Sequence, residues 1–576
     1  MSDYKNEFER WLSSDKLTSE EKKELLSISD DEEAKALRFS YPMGFGTAGL
    51  RSTMYMGIGC MNRFTVAQAT RGIAALIKNA GGEGRGVVIA YDSRNNSELF
   101  ARVAASVLAV AGIKTYIFDG VRPTPELSFA VRSLSCMAGI NITASHNPKE
   151  YNGYKAYWED GAQIGPEQAD VVSREMAHFD VLDTDGLVDF DSGVKCGLII
   201  TVGKEIDEKY LNAVIDTAID KDAVKRVSGE LKVVYTPLHG AGYKMVPEIF
   251  RRLGLVHLYT VDEQMIPDGN FPTVAKSNPE YANVFALGIS LADKVHSDLV
   301  IATDPDSDRV GVMARGKDGK FVTISGNKMG ALLLDYVLKA KKRSGTLPEC
   351  AYAVKSLVST EMANAIAEKH GVKLYDVLTG FKFIGEVIKN KEGTKSENGF
   401  LIGFEESYGY LFGTYARDKD AVGASMMILE MTAYYKERGM TLIDALDSLY
   451  CEYGYFGERT VEIYMEGLDG IAKRVKVMNT LREGGHTSIA GFKISCIEDI
   501  LSGKIYDLEK DEYRDTTKPR SDVIVYTLAS GDKLIIRPSG TEPKIKIYVL
   551  VHGDCVENID KKADVLVNEC KLMMEL

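Results

Sequence analysis

The chain has 576 residues, 45% hydrophobic and 27% charged, which excludes a fibrous or disordered protein; at roughly 100–200 residues per domain it holds about three to five domains. Its 70 Lys and Arg against 83 Asp and Glu leave a net charge of −13, an acidic surface that excludes nucleic acid and anionic membranes as partners. The longest apolar stretch, near Val103–Ile113, is too short to span a bilayer, the N-terminus has no apolar signal core, and the 8 cysteines form no CxxC pair, so a reduced, cytoplasmic protein is expected.

In chain order, residues 1–40 are charged and helix-prone, and glycine-rich Gly44–Gly59 follows. Strands are then predicted at Val87–Tyr91, Lys114–Phe118 and Ala138–Thr143, with helices at Ser97–Ala111 and Pro123–Ser133. The alternation recurs with strands at Lys232–Tyr235, Leu258–Val261 and Leu299–Thr303 and helices at Tyr243–Leu253 and Asn283–Val295. It recurs again with helices at Gly326–Ala340 and Thr360–His370 and strands at Tyr352–Val354, Lys373–Val377 and Phe400–Gly403. Such alternation implies parallel βαβ units. The C-terminal part differs: strands at Thr460–Ile463, Phe492–Ile494, Val523–Leu528, Lys533–Ile536 and Lys544–Val551, a Gly531-Asp532 hairpin turn and a closing helix Gly553–Met574 read as an α+β domain with an antiparallel sheet. The expected fold class is α/β: three similar mixed α/β sheet domains facing one central cleft, over 1–205, 206–320 and 321–452, and a C-terminal α+β domain over 453–576.

Each α/β unit places a polar loop directly after an apolar strand: Ala144-Ser145-His146-Asn147, Asp304-Pro-Asp306-Ser-Asp308 and Glu405-Glu406-Ser407. Ligands of open α/β sheets bind beyond the carboxyl ends of strands. Asp304, Asp306 and Asp308 stand at alternate positions, so a curled loop brings their hard oxygens to one Mg²⁺, Ca²⁺ or Mn²⁺. An EF-hand is excluded because Arg309 and Arg315 occupy the positions that need Gly and Glu. Ser145 is a candidate nucleophile or phosphoryl carrier, although no GxSxG elbow surrounds it. Glu405-Glu406-Ser407 suits sugar hydroxyls. Arg537-Pro-Ser539-Gly540-Thr541-Glu542-Pro543, between two strands, offers a guanidinium, hydroxyls and glycine-exposed amides as a phosphate cradle. Two motifs fail on context. Gly44-Phe-Gly46-Thr-Ala-Gly49 matches GxGxxG but lacks a strand before it and a helix after it. Gly316-Lys-Asp-Gly319 is a hairpin turn, since Asp318 stands where a P-loop needs Ser or Thr.

All four loops, in order over residues 41–551, resemble the α-D-phosphohexomutase superfamily. Phe45-Gly-Thr-Ala-Gly-Leu-Arg51, Asn147-Pro-Lys-Glu-Tyr-Asn-Gly-Tyr-Lys155 and Tyr157-Trp-Glu-Asp-Gly-Ala-Gln163 resemble its phosphoglucomutase/phosphopentomutase branch. The resemblance implies four domains around one cleft. It implies that Ser145 is a phosphoserine, that Asp304, Asp306 and Asp308 with the phosphorylated Ser145 bind Mg²⁺, and that Arg309 helps position the site. Arg51, His146 and Lys155 would lie near the transferred phosphoryl group, with His146 and Lys155 alternative general bases. Thr379, Gly380 and Lys382 belong to a loop resembling the sugar-discriminating one; Glu405 and Ser407 would hold sugar hydroxyls, Arg417 and Lys419 would add basic contacts, and Arg537, Ser539, Gly540 and Thr541 would grip the non-reacting phosphate. The implied activity is interconversion of glucose 1-phosphate and glucose 6-phosphate by a monomer or homodimer, with glucose 1,6-bisphosphate as activator. Pentose or mannose phosphates, sugar-bisphosphate synthesis, net phosphatase activity and a non-catalytic paralogue are the alternatives.

Overall fold

The computed structural model describes residues 4–46, 49–184, 189–465, 468–539 and 544–574. Four sheets follow one another along the chain, three mixed and the last antiparallel, as expected for the fold class. The first contains β1 (Leu50–Thr53), β2 (Val87–Tyr91), β3 (Thr115–Phe118), β4 (Ala138–Ile142), β5 (Tyr151–Trp158) and β6 (Ile199–Val202), in the order β1-β5-β4-β2-β3-β6. The second contains β7 (Lys232–Thr236), β8 (His257–Thr260), β9 (Leu299–Thr303), β10 (Val310–Arg315) and β11 (Phe321–Ile324), ordered β11-β10-β9-β7-β8. The third, β13-β12-β14-β15, is built from β12 (Tyr352–Ser356), β13 (Lys373–Val377), β14 (Phe400–Glu405) and β15 (Gly409–Leu411).

These sheets share one repeated arrangement. A central strand (β2, β7 or β12) has a parallel neighbour on each side, and the outer one (β4, β9 or β14) continues into an antiparallel partner (β5, β10 or β15). The central strands are apolar and almost wholly buried, because helices cover both faces of a parallel sheet. Each polar loop picked out in the sequence joins an outer parallel strand to its antiparallel partner. Each carries one non-glycine residue in the left-handed region: Ser145 (φ 51°), Ser307 (φ 56°) and Tyr408 (φ 65°).

None of the antiparallel partners β5, β10 and β15 is among the strands read from the sequence, β10 being implied only by the Gly316–Gly319 hairpin turn. β5 holds Gly153 and Lys155 between turn-forming segments and has no polar-apolar alternation, because it is buried on both faces. The Gly-rich segment near Gly46 lies between the helix Glu32–Phe39 and β1, so the requirement for a preceding strand and a following helix is unmet, as expected.

The second and third units share one core, in which Val233 and Phe250 join Leu332, Phe404 and Ile428. In the fourth unit, β16 (Tyr455–Tyr464), β17 (Ser488–Ile489), β18 (Phe492–Asp499), β19 (Lys504–Asp507), β20 (Glu512–Asp515), β21 (Ile524–Leu528), β22 (Lys533–Pro538) and β23 (Lys544–Gly553) form an antiparallel sheet. Gly531 turns between β21 and β22 with φ 90°, a conformation that favours glycine. One face of this sheet packs on the helix Val556–Met573 through Leu566 and Cys570. The other sets Val525, Ile535, Tyr548 and Leu550 against Leu357, Val358 and Leu378 of the third unit, with a Lys533–Glu361 ion pair of 2.9 Å across the seam. Among the described residues no helix is long and apolar enough to cross a membrane.

Candidate active site

The loop after β4 meets the loop after β9. Ser145 Oγ donates a hydrogen bond to Asp304 Oδ2 at 2.7 Å and lies 3.1 Å from His146 Nδ1. Thus a hydroxyl of the first unit sits on a carboxylate of the second. The metal loop is tight: Asp304 Oδ1 accepts from the backbone N–H groups of Asp308 (3.1 Å) and Arg309 (2.9 Å). Lys155 Nζ lies 2.7 Å from Asp306 Oδ2 and 3.5 Å from Asp308 Oδ2, and Lys419 Nζ lies 3.2 Å from Asp308 Oδ2. The Arg309 guanidinium binds Glu280 at 2.6 Å and stands 3.8 Å from Asp308.

All three units hold this loop by its backbone. Thr124 N donates to Asp306 O (2.8 Å), Ala421 N to Ser307 O (3.1 Å), and Val310 N to Tyr408 O (3.1 Å).

Asp304, Asp306 and Asp308 are buried, and ligand oxygens from all three lie within 4.8 Å of one another. Asp306 Oδ1 and Asp308 Oδ1 have no hydrogen-bond donor. Buried carboxylate oxygens without donors are costly unless a cation meets them. The donor set therefore fits a hard divalent ion.

Charge crowding shapes the titration of the site. Burial and the neighbouring Asp306 and Asp308 carboxylates raise the Asp304 pKa well above the ordinary range. Burial acts the same way on Asp306, but the Lys155 ammonium and the hydrogen bonds around it win and hold its pKa low. Lys155 keeps a raised pKa against burial, because Asp306 and Asp308 face it. For His146, burial and then the Arg309 and Arg51 charges favour the neutral ring.

The sugar-side residues form the next patch. Glu405 Oε1 accepts from Gly380 N at 2.6 Å, which joins the Thr379-Gly380 loop to the end of β14. Burial lifts the Glu405 pKa to about 7, opposed by Lys419 and, less strongly, by Arg309. Those two cations connect this patch to the metal loop. Lys382, half-buried in the first turn of the helix Phe381–Lys389, has its pKa lowered by burial. Ser407 is half-buried in the turn between β14 and β15. In the fourth unit, Arg537 stands at the end of β22, and its Nε is buried without a partner among the described residues. It faces the third unit: burial raises the pKa of Tyr548, and the nearby charges of Glu406 and Arg537 act on it from opposite directions. Ser539 N donates to Lys544 O at 2.8 Å, while Gly540 and Thr541 lie outside the described residues.

Arg51 meets the Ser145 loop, donating to Asn147 Oδ1 at 2.9 Å, and its charge reaches the His146 ring. One expected residue is placed differently. Arg417 is removed from the set: its buried guanidinium donates to the carbonyls of Thr414 and Ala416 and pairs with Glu392, which makes it a brace of its own loop. The structure adds residues that the sequence reading missed. Thr124 Oγ1 donates to Asp306 Oδ2 at 2.8 Å and accepts from Asn141 Nδ2 at 2.6 Å. Asp418 accepts from Lys419 Nζ at 3.0 Å and from Tyr157 at 2.8 Å. Arg94 lies beneath the Ser145 loop. Of these, only Asp92-Ser-Arg94 carried a signal, a charged pair directly after the apolar strand β2.

Comparison with known proteins decides the family. The models of the phosphoglucomutase/phosphomannomutase alpha/beta/alpha domains I, II and III match residues 42–180, 208–317 and 325–453. The chain belongs to the phosphoglucomutase/phosphomannomutase family. It is a phosphohexomutase, an isomerase that works by phosphotransfer. A Staphylococcus epidermidis phosphoglucomutase is 38% identical over 523 residues, spanning 90% of this chain and 92% of that protein. A Staphylococcus aureus phosphoglucomutase is 36% identical over 531 residues, 92% of this chain and 93% of that one. The fold matches the open form of parafusin, a Paramecium phosphoglucomutase, at TM-score 0.65 and 18% identity over 92% of this chain and 94% of that chain. It also matches a phosphoglucomutase/phosphomannomutase family protein of Burkholderia thailandensis at TM-score 0.64 and 18% identity, over 92% and 97% of the two chains.

Proposed function

We propose that this phosphohexomutase interconverts glucose 1-phosphate and glucose 6-phosphate through phospho-Ser145 and a glucose 1,6-bisphosphate intermediate. The observation that carries the reading is the contact of Ser145 Oγ with Asp304 Oδ2 at 2.7 Å, which sets a nucleophile on a carboxylate triad built for a divalent cation. The phosphoglucomutase relatives favour glucose over pentose or mannose.

The C6 hydroxyl oxygen of glucose 1-phosphate attacks the phosphorus on Ser145. The O6–P bond forms, the Oγ–P bond breaks, and the hydroxyl proton passes to a base. The bisphosphate then turns over in the cleft. Ser145 Oγ, which took up a proton as the first Oγ–P bond broke, attacks the phosphorus at C1: a new Oγ–P bond forms, the O1–P bond breaks, the Oγ proton passes to a base, O1 takes up a proton and glucose 6-phosphate departs. His146 Nδ1 and Asp304 Oδ2 are the acceptors within reach of the Ser145 proton, while Lys155 and His146 remain the alternatives for the sugar hydroxyl. Asp304, Asp306 and Asp308, with an oxygen of the phosphorylated Ser145, would hold Mg²⁺, which withdraws negative charge from the phosphoryl oxygens when bound. Lys155, Lys419 and Arg309 line the same space with positive charge, which suits a transfer whose catalysis is chiefly positioning and charge neutralisation. Glu405 with the Thr379–Lys382 loop would orient the sugar, and Arg537 with Ser539, Gly540 and Thr541 would hold the far phosphate. The fourth unit, joined to the third along the seam at Tyr548, is the element that would open and close, excluding water from the phosphoserine.

The test supplies Mg²⁺ and trace glucose 1,6-bisphosphate with glucose, mannose, ribose and deoxyribose 1-phosphates, and compares kcat/KM. Glucose 1-phosphate should be preferred. A higher value for a pentose phosphate would replace the substrate assignment, and release of inorganic phosphate without isomerisation would replace the mutase mechanism.

A further inference from the structure

We propose that Arg94 is a positioning residue for phosphoryl transfer, which aligns the Ser145 loop so that peptide N–H groups rather than carbonyls face the phosphoryl group. This rests on the reading that Ser145 carries that group.

The Arg94 side chain has 0% exposure, and all three of its guanidinium nitrogens serve one short loop. Nε donates to Ser145 O at 3.2 Å, Nη2 to Ser145 O and Asn147 O, and Nη1 to Pro148 O at 2.8 Å and Tyr151 O at 3.0 Å. Four carbonyls of one turn therefore converge on a single planar cation. The cation is fixed in its turn. Asp92 Oδ2 lies 3.5 Å from Nε, Asp92 Oδ1 accepts from Arg94 N at 2.9 Å, and the Phe271 ring of the second unit lies 5.2 Å from the guanidinium. Asp92 also reaches the loop by a second route, because it accepts from Thr143 Oγ1 at 2.6 Å, which accepts from Ser145 N at 2.8 Å.

Two consequences follow. Ser145 sits at φ 51°, which a non-glycine residue keeps only where its surroundings over-determine it; the bonds to Ser145 O and Ser145 N supply that determination. Peptide bonds here are all trans, so the N–H of each peptide points opposite to its C=O. With the carbonyls of Ser145 and Pro148 turned onto Arg94, the N–H groups of His146 and Lys149 point away from it, leaving an N–H side to meet an anion. A loop free to turn over would present carbonyl dipoles to a phosphate dianion. Lysine cannot replace this function, because a compact ammonium with three donors cannot match a five-donor fork.

The experiment compares full-length wild type, Arg94→Lys and Arg94→Met. It reads kcat and KM for glucose 1-phosphate and the fraction of chains that gain a phosphoryl mass from glucose 1,6-bisphosphate. Arg94→Lys should take up the phosphoryl group to near the wild-type fraction yet lose about 100-fold in kcat, with KM changed by less than about threefold, as expected for a mispositioned but intact nucleophile. Arg94→Met should lose at least as much, and if it fails to fold, Arg94→Lys alone decides. Wild-type kcat in Arg94→Lys would overturn the proposal. So would a kcat that falls only in proportion to the loaded fraction, which is the mark of a purely structural residue. A wild-type chain that gains no phosphoryl mass would sink the phosphoserine reading itself, and the positioning role with it.

Discussion

Replacing Thr124 by Val tests whether the first unit shapes the metal loop of the second. The two side chains are nearly isosteric, so the change removes a hydroxyl without opening a cavity. That hydroxyl donates to Asp306 Oδ2 at 2.8 Å and accepts from Asn141 Nδ2 at 2.6 Å, and all three residues are fully buried. Losing a hydrogen bond to a charged group costs about 1.5–3 kcal/mol, and stranding the buried Asn141 donor adds about 1 kcal/mol or more. Asp306 keeps its 2.7 Å contact with Lys155, so the carboxylate stays ionised but loses one of the two groups that aim it. If about 3 kcal/mol appears as misdirection of Asp306, affinity for the divalent ion falls about 100-fold. The assay is direct titration of Mn²⁺ by electron paramagnetic resonance, with the Mg²⁺ dependence of turnover alongside. Thr124→Ser, which keeps the hydroxyl, should stay close to wild type. A Thr124→Val protein with wild-type Mn²⁺ affinity and turnover would refute the reasoning, since the contact would then carry no positional information.

Three further outcomes are expected. Ser145→Ala should fold, gain no phosphoryl mass from glucose 1,6-bisphosphate and lose mutase turnover; normal turnover would remove Ser145 from its role. Arg417→Lys should lower stability by about 2–3 kcal/mol in urea unfolding, because the fork to Thr414, Ala416 and Glu392 is lost, while KM stays near wild type; a large rise in KM at unchanged stability would return Arg417 to the substrate site. Glu405→Gln should be stabilised relative to wild type as pH rises. The folded pKa of about 7 stands above the usual 4.5, so the wild type holds its advantage below about 4.5 and loses up to about 3 kcal/mol as pH climbs through 7. Parallel stability-pH curves for the two proteins would show that Glu405 is ionised in the fold at neutral pH.

Much of this architecture is legible in the sequence because parallel strands covered on both faces are apolar runs. Val87–Tyr91 and Leu299–Thr303 stand out without help, and the loops that follow them are the site. Tyr151–Trp158 is illegible for the converse reason: Lys155, Asn152 and Gly153 are dictated by the loop chemistry around Ser145 and by close packing, so neither period nor propensity marks a strand. The triad of aspartates could be read because its alternate spacing is itself chemical. Thr124 and Asp418 could not, because their partners Asp306 and Tyr157 stand 182 and 261 residues away and only docking of the units brings them together; Arg94, marked only by its place after an apolar strand, acts within its own unit on carbonyls 51 to 57 residues further on. Arg417 misled for a related reason: a basic residue beside Lys419 looks like an anion ligand until its own loop is seen to claim it.

The threefold suspension of the metal loop also sets an order of assembly. Its backbone hydrogen bonds draw on Thr124 before it in the chain and on Tyr408 and Ala421 well after it, so a ribosome-bound chain that has released only the first two units cannot complete the loop. The carboxylates gain their final geometry only when the third unit has closed against the second. A chain that lacks the third unit therefore has an unfinished metal loop, and a metal-competent site is itself a report that the first three units have docked.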